Sequence, residues 1–467
     1  MGILIKNGQV VSSKGVDLED IFVQGEKIVK IGKSLIASDL KEEFPGEEIQ
    51  IIDAKDKLIF PGFIDTHTHF DLDAGDFHTA DDFYSGTKAA IAGGTTTILD
   101  FTTQEKGETL NQALDNWHKL ADGKSSCDYG FHMSITDWNS DIKKEIKDMT
   151  NRGVNSYKLY MAYSNLKVND GEIYEILKAV KDENGIVGVH CENGELIDSL
   201  IKELKSNNKN SVSLHPLSRP KEAEAEAIHR LLVIAGLVDT PVNIVHLSSK
   251  LSLEEVRCAR ENGQKVYVET CPQYLLLDDS VYGKDGFSAA KYVCSPPLRK
   301  EEDIEAIWKG LLNGEVQTIG TDHCSFNMSN QKTRGKDDFT KIPGGIPGTE
   351  ERPVLIYHFG VTKGKITVSD MCGLLSEQPA KLFGMYPNKG TIKEGSDADI
   401  VIWNKNITRI ISAKDMNSIC DNTPYEDMKV TGLPEMVFLR GKLVAKERKI
   451  INEKLGKYVF RGERTDF

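Results

Sequence analysis

The chain has 467 residues, 58 basic against 71 acidic, and a formal net charge of −13. That length accommodates a large barrel with a small added domain, and the acidic balance argues against a nucleic-acid or anionic-membrane partner. No apolar run approaches the roughly 20 residues of a membrane span.

The opening stretch, "MGILIKNGQVV", lacks the basic-then-apolar order of a signal peptide and has Lys6 where a myristoylation signal wants Ser or Thr. The eight cysteines form no C-x-x-C pair, so neither a disulfide framework nor a thiolate metal site is expected. A cytoplasmic location is the expectation. From the start, "LIKNGQVV", "IFVQGEKIVKIG" and "IQIIDAKDKLIF" alternate short apolar runs with turns, and "QGEK" reads as a hairpin turn. The same texture returns in "DADIVIWN" and "MVFLRGKLVAKERKI". Residues 1–55 and 386–467 are therefore expected to build one β-rich, sandwich-like domain from both ends of the chain.

Residues 56–385 have a different rhythm, with β-branched runs alternating with amphipathic segments, as in parallel α/β structure. The runs are "LIFPGFIDTH", "TTTILDFT", "YGFHMSI", "SYKLYM", "IVGVHCE", "VNIVHLS", "KVYVET" and "VQTIGTD". Eight such runs are what a (β/α)8 TIM barrel requires. Helices are expected between them, for example in "GEIYEILKAVKDE" and "PKEAEAEAIHRLLVIAG".

Barrel chemistry gathers at the carboxyl ends of the strands. His67 and His69 end the first run and, two apart in an extended strand, point the same way. His190, His246 and Asp322 end the fifth, sixth and eighth runs, and Lys158 lies on the fourth. His118, His215 and His229 fall in expected helices or loops and are read as structural. Lys158 is the odd member, because an ammonium has no lone pair for a metal. It can lose its proton, or react with carbon dioxide to give a carbamate with two oxygens. The carbamate would complete a site for two zinc ions about 3.5–4 Å apart.

The whole chain resembles the cyclic amidohydrolases, most closely the dihydropyrimidinase and hydantoinase family. The resemblance is carried by "PGFIDTHTHFD", "SYKLYMAY", "VHCENGELI", "IVHLSS", "VETCPQYLLLD", "SPPLR", "GTDHCSF" and "QPAKLFGMYPNKGTIKEGSDADIVIW". It implies one metal on His67, His69 and Asp322, a second on His190 and His246, and Lys158 carboxylated to N6-carboxylysine as the bridge. It implies that Tyr163 hydrogen-bonds the carbonyl under attack, and that the main chain at Ser295 and near Gly344 holds the substrate ring. Here the chain departs from the family, reading "IPGG" where "IPNG" is common.

The implied reaction is the ring opening of a cyclic ureide or imide to an N-carbamoyl amino acid by a metal-activated hydroxide, with Asp322 moving the proton. The implied cofactor is two divalent ions per subunit, with zinc the expected ion, and the implied assembly is a homotetramer. Allantoinase and dihydroorotase activities are the alternatives, and a non-enzymatic scaffold is a third. The loop "DLDAGDFHTADDF" is unusually polar through Asp73, Asp76 and His78, and "SNLKVNDG" supplies Leu166 and Val168 but no large aromatic. The tail "EKLGKYVFRGERTDF" mixes apolar and charged residues in a way suited to docking on a neighbouring subunit.

Overall fold

The computed structural model describes residues 2–44, 48–206, 211–284 and 286–465. Eight parallel strands follow one another in sequence order around a barrel: Phe63–Thr68, Thr95–Thr103, Asp128–Ser134, Ser156–Tyr160, Ile186–His190, Val242–Ile244, Val266–Thr270 and Thr318–Ile319. Most of their residues are buried on both faces, which is why the runs read as continuous rather than alternating. The expected helices form at Asp170–Asp182 and Lys221–Val238. Asn169 starts the first of these, and Asp82 and Thr109 start Phe83–Ala92 and Leu110–Ala121, each by accepting the backbone N–H of the third helical residue. Among the described residues no helix is long and apolar enough to cross a membrane.

The eighth strand is only two residues long, so the barrel closes largely through side chains. Asp65 accepts from the Thr321 N–H at 3.0 Å and its hydroxyl at 2.7 Å. The buried Arg352 guanidinium donates to the carbonyls of Ile64 and Ile319 at 2.7 and 2.8 Å. His323 then pairs with Thr68 as a single parallel bridge, its carbonyl accepting from the His69 N–H at 2.8 Å. This closure fixes the stretch carrying Asp322 against the stretch carrying His67 and His69.

Both ends of the chain meet in one nine-stranded mixed sheet. Gly2–Ser12 pairs with Gly15–Gln24 and runs parallel to Ile49–Asp53 and Leu58–Pro61, while Ile400–Ile410, Lys429–Leu439 and Lys442–Lys446 continue the sheet from the other end. Ile3, Ile5, Val10, Ile21, Ile59, Ile400 and Phe438 form its core.

One sequence expectation is corrected. "LIFPGFIDTH" is two strands, because Leu58–Pro61 belongs to the terminal sheet and only Phe63–Thr68 to the barrel. The break is at Gly62, where a Cβ would lie 2.0 Å from the Thr96 hydroxyl, so the chain crosses between sheets at a point only glycine fits. The described part of the tail packs on its own barrel. The Val459 N–H donates to Tyr129 at 2.7 Å, and buried Arg461 reaches the Ser156 hydroxyl at 2.6 Å.

Candidate functional site

The carboxyl end of the barrel gathers four imidazoles into one continuous set. Ring centroids are 5.2 Å apart for His69 and His67, 5.4 Å for His67 and His246, and 4.7 Å for His246 and His190. Tyr163 extends the series at 5.2 Å from His190. All four histidines are buried. Lys158, 1 % exposed, rises among them with its Nζ 4.7 Å from the Phe101 ring and 5.1 Å from the Tyr160 ring.

Asp322 sits against the first pair, with Oδ1 3.1 Å from His67 Nε2 and 3.3 Å from His69 Nε2. His67, His69 and Asp322 present ligand atoms close enough for one ion. His67 Nδ1 is engaged by Glu269 at 2.6 Å, and the buried His67 Nε2 is close to Asp322 yet not aligned for a hydrogen bond. A lone pair and a carboxylate oxygen facing each other in a buried site call for a cation between them.

In the second pair, His190 Nε2 is held by Glu192 at 2.8 Å, which leaves Nδ1 turned to His246 Nε2 at 3.0 Å. Among the described residues His246 Nδ1 has no hydrogen-bond partner. The nitrogen-and-oxygen donor set fits divalent zinc, manganese or cobalt, and the clustered unmatched nitrogens fit a metal centre.

The electrostatics agree for Asp322, His69 and His246. Burial pushes the Asp322 carboxyl up, but the His67 and His69 imidazoles outweigh it and hold Asp322 well below the usual carboxylate range. Burial pushes His69 down to about 4 and His246 well below its ordinary value, so both are neutral donors at neutral pH. For His67, burial and Lys158 pull the imidazolium down, and Asp322 with Glu269 more than offset them. Burial also drives Lys158 down to about 8.

Three of these residues have left-handed backbone: Tyr163 at φ 69°, His246 at 41° and Asp322 at 53°. Such conformations cost about 1–3 kcal/mol each and concentrate at functional sites. They arise because each residue lies beyond its strand, where the chain turns over the barrel mouth: two residues past Ile244 for His246 and three past Ile319 for Asp322.

The remaining expected residues flank the same cleft. Tyr163 is half-buried; burial pushes its phenol up, against the Arg219 guanidinium and a hydrogen bond with Ser295, which lower it. Ser295 and Gly344 face each other, since a Cβ on Gly344 would lie 3.3 Å from Ser295 Oγ. The polar loop is partly spent on its own neighbours: Asp76 is 3.2 Å from Arg334, whose guanidinium covers Phe77 at 4.3 Å.

Glu269, Glu192 and Arg219 join the site without being among the residues expected from the sequence. The Glu192 carboxylate, beside His190, also receives Arg219, and Arg219 lies 5.1 Å over the Tyr163 ring. The spacing His190-x-Glu192 puts both side chains on one side of an extended segment and was the available signal. His215, read as structural, supports the Ser295 loop by a 2.8 Å bond to the Cys294 carbonyl.

Comparison with known proteins agrees with this geometry. The amidohydrolase family model matches residues 58–444. The chain is 42% identical to a D-hydantoinase of Geobacillus stearothermophilus, over 98% of this chain and 96% of that one. It is 39% identical to a dihydropyrimidinase of Dictyostelium discoideum, over 96% and 88%. The crystal structure of dihydropyrimidinase from Brevibacillus agri NCHU1002 superposes with a TM-score of 0.96 at 40% identity, covering 100% of both chains. With the barrel, the imidazole rim and these full-length likenesses in agreement, the chain belongs to the amidohydrolase family and, within it, to the dihydropyrimidinase and hydantoinase group.

Proposed function

We propose that the protein opens the rings of 5,6-dihydropyrimidines, 5-substituted hydantoins or both by hydrolysis, giving N-carbamoyl amino acids. The observation that carries this reading is the single buried rim of four imidazoles, Lys158 and Asp322 with Tyr163 at its edge. His67, His69 and Asp322 would hold one divalent ion, zinc by expectation, and His190 and His246 a second. Lys158 would join them as N6-carboxylysine. Its lowered pKa supports this, because only the neutral amine reacts with carbon dioxide, and burial makes that form accessible near neutrality. When bound, such ions polarise a carbonyl and bring the pKa of water close to 7.

The chain's own groups account for the rest. The main chain at Ser295 and Gly344 holds the ring so that one ring carbonyl faces Tyr163. The Tyr163 hydroxyl donates to that oxygen as negative charge gathers on it. Asp322 accepts the proton of the attacking water, then delivers it to the departing ring nitrogen as the ring C–N bond breaks. One water is consumed, its oxygen joining the carbonyl carbon, one hydrogen ending on nitrogen and the other released as the new carboxyl group ionises. Glu269 and Glu192 keep His67 and His190 in the tautomers that turn a lone pair toward the centre.

The allantoinase and dihydroorotase alternatives are not favoured beside full-length likeness to D-hydantoinases and dihydropyrimidinases. We further take the protein to act as a homotetramer in the cytoplasm, where its eight unpaired cysteines suit a reducing compartment. A substrate panel tests the reading: dihydrouracil, dihydrothymine, hydantoin, 5-aryl hydantoins, dihydroorotate and allantoin. Turnover of dihydrouracil or hydantoin is expected, and turnover confined to allantoin or dihydroorotate would replace it.

A further inference from the structure

The two stretches proposed to hold the ring come from distant parts of the chain, and a buried lysine joins them. Lys332 is 1 % exposed, and its Nζ donates to three carbonyls: Val293 at 2.9 Å, Pro343 at 2.8 Å and Gly345 at 2.8 Å. The three N–H donors of an ammonium are thus all matched. The acceptors lie at telling positions. Val293 precedes Ser295 by two residues, and Pro343 and Gly345 bracket Gly344. A 3.0 Å bond from the Gly345 N–H to the Val293 carbonyl ties the same two stretches.

Lys332 is itself anchored. It begins a short 3-10 turn, Lys332–Gly335, and its own N–H donates to the Asn327 carbonyl at 2.9 Å. Burying a charged lysine is costly unless its donors are matched. Surface-loop packing alone would not need such an arrangement, whereas two irregular stretches that must keep a fixed spacing would.

We propose that Lys332 is a positioning residue for the substrate ring: by clamping the 293–295 and 343–345 stretches together it sets the distance between the Ser295 and Gly344 main chains. The clamp's effect on substrate rests on the ring-binding reading given under Proposed function. Its effect on the loops does not. Loss of Lys332 frees both stretches at once, and the ring then binds a seat of variable width. The metal centre is left intact, because no metal-site side chain contacts the lysine's ammonium.

The test uses the full metal-replete protein and Lys332→Met, which keeps an unbranched stem of similar length. Hydrogen–deuterium exchange should show protection falling together in 293–298 and 342–347, with the barrel strand at 156–160 unchanged. KM for dihydrouracil should rise roughly tenfold, the scale of hydrogen bonds to a charged group, with a smaller change in kcat and unchanged bound metal. Wild-type protection in either stretch, or an unchanged KM, overturns the proposal.

Should the Met variant fail to fold, Lys332→Ala with n-propylamine in the buffer decides the matter. The amine refills the vacated channel and should restore protection and KM, while n-propanol should not. Equal rescue by both compounds, or by neither, overturns the clamp. If the wild-type protein opens no cyclic ureide, the proposed function fails, and the exchange data still judge the clamp separately.

Discussion

Glu269 holds His67 Nδ1 at 2.6 Å, and this one contact decides which nitrogen of the imidazole faces Asp322. The carboxylate is buried at the end of the seventh strand and also receives the Thr66 hydroxyl, so it has little freedom to turn away. Glu269→Gln should therefore weaken metal binding at the His67 side by about 10-fold or more, the usual effect of removing a partner that orients a ligand. Competition with a chelator measures it. An unchanged affinity would leave Glu269 with only a packing role.

Tyr163 is the residue proposed to meet the developing oxyanion. Tyr163→Phe should lower kcat by about 10²–10³, the typical cost of one such donor, while bound metal stays at the wild-type level. Full turnover in the Phe variant would return the residue to the ordinary aromatics of a barrel rim.

Acid stability has a local source in Asp81. It accepts from His323 Nε2 at 3.1 Å, the Ser418 hydroxyl at 2.6 Å, the Ser85 hydroxyl at 2.9 Å and the Ile419 N–H at 3.0 Å. Burial pushes its carboxyl up, and His323 and Ser418 lead the contacts that bring it down to about 2. A depressed folded-state value means that the stabilisation is present above the unfolded value near 4 and is lost as pH falls from there toward 2. Its size is about 2 kcal/mol by that shift. Asp81→Asn should lower Tm at pH 7, and the gap to wild type should shrink on going to pH 3. A gap independent of pH would contradict the assignment.

Assembly is open to a direct check. If the chain forms closed homotetramers, sedimentation at micromolar protein should give one species near four times the 51.9 kDa chain mass. A monomer alone would remove the tetramer from the account.

Much of this was legible in the sequence, for a definite reason. The expected ligand positions are local: His67 and His69 share a strand face by alternation, and His190, His246 and Asp322 each follow an apolar run. Residues acting through long-range contact were not legible. Glu269 meets His67 across 202 positions, and Lys332 meets Val293 across 39. The split at Gly62 was hidden as well, since two buried strands from different sheets read as one apolar run when both are covered on each face. The tail's apolar residues were visible, but composition does not say what they cover: the Val459 N–H and the Arg461 side chain bind the third and fourth barrel strands, while Phe460 stays exposed.

The central claim is hydrolytic opening of a cyclic amide at this rim, and isotopic water tests it most directly. Metal-replete protein is incubated with dihydrouracil in oxygen-18 water, and the product is read by mass spectrometry. The expected product is N-carbamoyl-β-alanine carrying one heavy oxygen in its new carboxylate, with no product from Lys158→Ala. Unchanged dihydrouracil and unchanged hydantoin after incubation with folded, two-metal protein would contradict it.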